Sequence, residues 1–326
     1  MCFNKLTNFF VKSKTELFNG LKHTLLRVLF LKQLSMKNII KLSLAAFLVM
    51  VIAVSCKKLD RPTLGDYPKD QDPRFPLYPG GPLKFYTAFD GTSTNKLMNA
   101  VDSIRANFPA DNPFTSITGI SGKGVQGVDQ KAIKYPSAND WAKSTSFTVA
   151  FWEKNSVPTG GSPQWLFSLP SKDFWHQSAF TAFFDHDAAG SNTSVATVKL
   201  IIQDQWLEFT GANRMPGNLL NGSWHHMAFV YDETTSKMSY YVDGQPLTGL
   251  PASITDVKRG SNPRGPMDFK NTYNFVVGGW NKHANLGQGA PGDGWIQSWQ
   301  GGLDQFRLYG KALTASEVLA LFNSRL

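Results

Sequence analysis

From Leu83 to Tyr309 the chain repeats one device: a short apolar or aromatic run, then a break rich in Gly, Pro, Asn, Asp or Ser. Leu83 to Phe89 is the first such run. In the next, Phe147, Val149 and Phe151 alternate with Thr148, Ala150 and Trp152. Trp165 to Leu169, Phe180 to Phe184, Val195 to Ile202 and Trp206 to Phe209 follow. Trp224 to Tyr231 and Met238 to Val242 flank the polar stretch Asp232 to Ser236, which predicts a hairpin, and Asp243-Gly244 predicts a second tight turn. Tyr273 to Trp280 and Leu303 to Tyr309 complete the set. Many short strands with turn residues between them predict an all-β sandwich of two antiparallel sheets. Two helices interrupt it. Leu97, Val101, Ile104 and Phe108 recur at helical spacing, predicting a helix over 96–107. Near the C-terminus, Thr314-Ala315-Ser316-Glu317 is a capping box, with Val318, Leu319 and Phe322 giving the helix behind it an apolar face.

The region before the strands reads as an address. Lys37 and Lys41 lead into a run from Leu42 to Val54 that is apolar except for Ser43. That is short for a membrane span, which needs about twenty apolar residues, and it suits the core of an export signal. Ala53-Val54-Ser55-Cys56 follows and resembles the lipobox of bacterial lipoproteins, so Cys56 is the expected lipid attachment point and 36–55 the signal peptide. Residues 1–35 precede that signal and are read as an over-extended start. Residues 56–82, with Arg61-Pro62 and Tyr78-Pro79-Gly80-Gly81-Pro82, read as a flexible tether below a domain spanning 83–326.

This reading removes two apparent clues. Six basic residues and one acid precede Met36, and Lys37 and Lys41 lie in the signal, so the chain from Cys56 carries +2 of the total +9. The basic character that would suggest nucleic acid therefore belongs to segments outside the domain, and no nucleic-acid partner is expected. Of the two cysteines, Cys2 lies in the extension and Cys56 takes lipid, leaving none for a disulfide or a metal. The domain must be held by its core alone, which about 240 residues can supply.

The order of several short motifs resembles the laminin-G-like jelly roll of the concanavalin A-like lectin and glucanase superfamily. They are Phe89-Asp90-Gly91, Gly122-Lys123-Gly124, the strand from Ser146 to Trp152, the hairpin from Trp224 to Gly244, and the closing stretch from Gly301 through Tyr309 to Val318. The resemblance implies two sheets packed face to face. It leaves function open, because lectins, adhesion modules and enzymes share this scaffold.

Candidate residues follow from chemistry. Glycosidases need two carboxylates flanking one bond. From Cys56 onward the only glutamates are Glu153, Glu208, Glu233 and Glu317, none in a Glu-x-Asp or Glu-x-x-x-Glu arrangement. Asp185 and Asp187 would share a strand face with His186 opposite, either as an acid pair or as the polar mouth of a loop. Asp304 falls in step with Phe306 and Leu308, so its carboxylate needs compensation. In related jelly rolls a structural calcium joins first and last strands. That implies an oxygen cage from Asp304 and Asp90, the alternative being backbone N–H donors to Asp304. The histidines lack zinc spacing, and His225 and His226 point to opposite faces as structural residues. Trp152, Trp165, Trp206 and Trp224 sit inside strand patterns and are expected in the core. Trp175, Trp280 and Trp295 lie at strand ends or in Gly-rich loops with Asn281 beside them, and are either sugar-stacking platforms or rings packed under the loops.

The expectation is a non-catalytic, glycan-binding lipoprotein of the cell envelope. Its ligand residues would be Trp175, Asp185, His186, Trp280, Asn281 and Trp295, with one structural Ca2+ at Asp90 and Asp304 and no other cofactor. The outer membrane is the expected location, surface-exposed or periplasmic, with Lys57 after the cysteine as the cue. Two other classes stay open: a module binding an envelope protein, and an atypical glycan hydrolase.

Overall fold

The computed structural model describes residues 81–90, 97–99, 101, 108–109, 111–158, 162–174, 178–186, 190–286 and 294–325, with a few helical residues between 22 and 33. The chain divides into two units, Met1–Tyr67 and Pro68–Leu326. In the first, the described helical residues Leu25, Leu26, Leu29 and Leu31 are exposed. Cys56, the segment 36–55, Trp175 and Asp187 lie outside the described residues, as does most of the helix expected over 96–107.

In chain order the strands are β1 (Leu83–Thr87), β2 (Thr115–Thr118), β3 (Lys123–Gln126), β4 (Ile133–Tyr135), β5 (Phe147–Ser156), β6 (Gln164–Pro170), β7 (Ser178–Phe184), β8 (Val195–Ala196), β9 (Val198–Ile202), β10 (Gln205–Phe209), β11 (Met215–Pro216), β12 (Asn221–Asp232), β13 (Lys237–Val242), β14 (Gln245–Pro246), β15 (Lys258–Arg259), β16 (Asn262–Pro263), β17 (Phe275–Val277), β18 (Gln297–Ser298) and β19 (Gly302–Tyr309). An eight-stranded sheet runs β14-β13-β12-β5-β19-β3-β2, with β1 also paired to β19. A seven-stranded sheet runs β10-β9-β7-β6-β17-β4, with β18 also paired to β6. Apart from the parallel β18–β6 contact, the pairs within these sheets are antiparallel. The two form a jelly-roll sandwich.

The core is a block of phenylalanines between the sheets. Phe151 of β5 stacks on Phe306 of β19 at 5.2 Å, and Phe167 of β6 meets Phe306 edge-on at 5.8 Å. Trp141, from the short 3-10 turn Asn139–Lys143, seals one end against Phe147 and Phe269. Burial of this much aromatic surface holds the sheets together without any disulfide.

The first seven residues of β5 are buried on both faces, which simple alternation does not explain. The cause is the C-terminal helix Ala315–Ser324, which lies on the outer face of the eight-stranded sheet. Its Val318 packs with Ala150, Ala228 and Tyr241, and its Phe322 stacks on Trp152 at 5.5 Å. The capping box is as expected: Thr314 Oγ1 accepts from Glu317 N at 3.3 Å, and Glu317 Oε2 accepts from Thr314 N at 2.8 Å. The Asp243-Gly244 turn has both residues at positive φ, 49° and 74°, as a two-residue hairpin of this twist requires.

One face assignment is corrected. Asp304 does not share the core face with Phe306 and Leu308. A bulge in β19 shifts the register between Asp304 and Arg307, and Gln305 takes a φ of 48°. Asp304 therefore pairs with outward-facing Trp152, while Leu303, Phe306 and Leu308 enter the core. A one-residue bulge exchanges the faces of everything beyond it.

Candidate functional site

The outer face of the seven-stranded sheet carries an aromatic row. Trp165 on β6, Phe183 on β7, Lys199 on β9 and Glu208 on β10 are successive register partners, so their side chains stand side by side. Trp280 stacks on Trp165 at 4.6 Å and 4°, and Trp165 stacks on Phe183 at 4.2 Å and 14°. Trp206, one level along β10, meets Phe183 edge-on at 6.2 Å. With strands about 4.8 Å apart, the line from Trp165 to Glu208 spans roughly 14 Å.

Access differs along the row. Trp280, Trp165 and Phe183 are buried, whereas Trp206 is 38% exposed. Trp206 was expected in the core, but Leu207 and Phe209 fill it, so Trp206 and Glu208 must face outward on the same strand. Lys199 Nζ lies 2.7 Å from Asp185 Oδ2, 3.2 Å from Glu208 Oε1 and 6.0 Å from the Trp206 ring centroid. Burial alone would lower the Lys199 ammonium, but the two carboxylates outweigh it and raise it above the ordinary lysine value.

The other expected ligand residues divide. Asp185 reaches this cluster directly, its backbone N–H donating to Thr197 O at 2.9 Å. His186 is buried, its ring nitrogens have no partner among the described residues, and burial holds it down to about 4. Trp280 and Asn281 are buried too. Trp280 Nε1 donates to Ser178 Oγ at 2.9 Å, and Ser168 Oγ donates to Asn281 Oδ1 at 3.0 Å. They buttress the stack rather than offer an open ring. Trp295 is 57% exposed.

A second feature joins first and last strands. Asp304 is fully buried, and its Oδ2 accepts from Ile120 N at 2.7 Å while Oδ1 has no partner among the described residues. Burial pushes its carboxyl up to about 7 against backbone donors at Ile120, Ser121 and Gln305, and Asp90 adds to the rise. Asp90 Oδ1 accepts from Lys123 N in the same loop. A Cβ at Gly119 would collide with Asp304, and one at Gly122 with Asp90, so glycine is required for this close approach. An orphaned buried oxygen beside a second carboxylate fits a hard cation. Among the described residues no three His, Cys, Asp or Glu side chains form a metal-binding group, so backbone carbonyls would have to complete the shell.

A third cluster lies where β5, β12 and the β13–β14 turn meet. His225 Nδ1 donates to Asp243 Oδ2 at 2.9 Å, and its Nε2 lies 3.2 Å from Asn221 Oδ1. Glu153, the register partner of His225, is fully buried, and neither of its carboxyl oxygens is bonded among the described residues. Burial, with the Asp243 charge adding to it, pushes the Glu153 carboxyl well above the ordinary value. His226, on the opposite face, is buried beside Trp152 and Phe322 without a ring partner among the described residues. It is not the satisfied structural histidine expected.

A family model described as concanavalin A-like lectin/glucanases superfamily, of the laminin G type, matches residues 127–319. The chain belongs to this superfamily. A search of curated proteins finds no match. Solved structures match at low identity. A heptameric SAP-like pentraxin from Limulus polyphemus is 16% identical with a TM-score of 0.36, covering 66% of this chain and 80% of that one. Domain 4 of an extracellular arabinanase from Geobacillus stearothermophilus, in complex with arabinotriose, is 17% identical with a TM-score of 0.45, covering 74% and 98%. A Trypanosoma rangeli sialidase in complex with sialic acid is 18% identical with a TM-score of 0.42, covering 75% of this chain but 33% of that one.

Proposed function

We propose that the domain is a non-catalytic, lectin-like glycan-binding module, carried on a lipid anchor at Cys56 as an outer-membrane lipoprotein. The observation that carries the binding role is the Trp206 ring, 38% exposed beside a buried aromatic stack and close to Lys199, Asp185 and Glu208. Sugar rings offer an apolar C–H face to such a ring and hydroxyl edges to the charged rim. Supporting groups locked by stacking keep that geometry fixed before a ligand arrives, which lowers the entropy lost on binding.

The same rim argues against hydrolysis. A glycosidase places the scissile bond between two carboxyls. Between Asp185 and Glu208 lies the Lys199 ammonium. The lipid anchor rests on the lipobox resemblance of Ala53 to Cys56 and the short apolar run before it. A structural Ca2+ held by Asp90, Asp304 and loop carbonyls belongs to the same proposal. It would tie β1 to β19 and supply charge compensation, not chemistry.

Affinity electrophoresis of the full chain through gels containing single polysaccharides tests the binding role. At least one polysaccharide should retard the protein, and Trp206→Ala should remove most of that retardation. Loss of one stacked ring is worth about 1 kcal/mol, a several-fold change in affinity. Retardation that is unchanged in Trp206→Ala would refute the assignment of this face.

A further inference from the structure

We infer that the Trp206 face selects glycans without acidic groups, because its lysine is already held by two carboxylates of the face itself. The inference deepens the glycan-binding reading and rests on it. Phe183, Lys199 and Glu208 are direct cross-strand neighbours on β7, β9 and β10, and Asp185 follows β7 at once. Lys199 Nζ sits 2.7 Å from Asp185 and 3.2 Å from Glu208, close enough for both to be charge-assisted hydrogen bonds. Within reach of the exposed ring there are thus two carboxylates and one ammonium.

An acidic sugar stacked on Trp206 needs a cation for its carboxylate. To take Lys199 it must displace Asp185 or Glu208 and then lie beside the carboxylate it displaced. Two like charges about 4 Å apart repel strongly enough to weaken binding about fivefold in bulk water and about tenfold or more where water is excluded. Lys134, also directed outward, is on β4, four strands from β9 and so roughly 19 Å away. Arg214, on the neighbouring loop, is tethered there by bonds from Nε to Thr197 Oγ1 at 3.2 Å and from Nη1 to Gly211 O at 2.9 Å. An uncharged sugar meets no such conflict. Its hydroxyls donate to the carboxylate oxygens left over from Lys199, since each carboxylate accepts several bonds. In this arrangement Lys199 is a positioning residue that aims two acceptors along the edge of the ring.

The test is affinity electrophoresis of the full chain with two sets of polymers: uncharged ones (arabinan, galactan, β-glucan) and acidic ones (polygalacturonate, alginate, polysialic acid). The wild type should be retarded by an uncharged polymer and not by the acidic set. In Asp185→Asn/Glu208→Gln, which frees Lys199, acidic polymers should gain about tenfold and uncharged ones lose several-fold. Both positions are partly exposed, and Lys199→Gln provides a second variant that should leave acidic polymers unbound. Wild-type preference for an acidic polymer, or an acidic-to-uncharged ratio unchanged in the double variant, overturns the selectivity while leaving the glycan face standing. No retardation by any polymer overturns the glycan reading and the selectivity with it.

Discussion

Glu153 is the residue whose environment disagrees most with its chemistry, and replacing it by glutamine should make the protein more stable. The carboxyl is fully buried with no bonded oxygen among the described residues, and burial followed by the Asp243 charge raises its proton affinity well above the ordinary value. An acid whose folded value is raised contributes fully below its unfolded value, and that contribution is lost as pH rises toward the folded value. The unfolded value is near 4.3, so each pH unit above it costs about 1.4 kcal/mol while the folded group keeps its proton. At pH 7 the cost reaches up to about 4 kcal/mol, a large share of a typical stability of about 5–15 kcal/mol. Glu153→Gln keeps the shape and stays neutral throughout. Urea unfolding of both proteins at several pH values between 4 and 8 measures the difference. The two should match near pH 4, and the variant's relative stability should then rise with pH, by up to about 1.4 kcal/mol per unit for as long as the folded carboxyl keeps its proton. A difference independent of pH would show that Glu153 is not held protonated, and the reasoning would fail.

Asp243 has the opposite sign. Burial alone would raise it, but hydrogen bonds from His225 and from the His226 backbone outweigh burial and lower it, so its contribution is complete above about pH 4 and fades in stronger acid. Asp243→Ala should cost about 1 kcal/mol at pH 7, allowing for its partial exposure, and less at pH 3, by the same urea assay. If calcium occupies the Asp90–Asp304 loop, chelator should lower the melting temperature by about 5–10 °C when the metal was present at a hundredfold excess over its Kd, and an unchanged temperature rejects the site. Phe322→Ala should uncover His226, which burial first and the Arg307 charge second hold down to about 3, and an NMR titration should find the imidazole moved toward 6.5.

The β12–β13 hairpin, the Asp243-Gly244 turn and the capping box were legible in the sequence because each depends on neighbours within a few residues, and the sandwich was legible from its many short strands separated by turn residues. The site was legible only where period-two alternation was applied strictly. In Gln205 to Phe209, placing Leu207 and Phe209 inside forces Trp206 and Glu208 out, so Trp206 could have been found. Asp304 could not be assigned its face, since the bulge at Gln305 leaves no mark in a run that reads as unbroken strand. Nor could the Lys199–Asp185–Glu208 cluster, which three different elements bring together.

The chain's last helix covers the outer face of the eight-stranded sheet. Both sheets carry a tryptophan on the outer face of a strand, Trp152 on β5 and Trp206 on β10. Trp152 stacks under Phe322, and beside it the buried ring of His226 lacks a partner among the described residues. That surface pays for its polar groups by being closed with an apolar lid. Trp206 has the reverse surroundings: an exposed ring, three charged neighbours that satisfy one another, and a rigid buried stack behind it. A polar rim around an accessible aromatic ring is stable in water and still able to exchange its hydrogen bonds for those of a sugar. The capped helix thus covers the Trp152 face, and this is why the proposed glycan-binding role is placed on the Trp206 face instead.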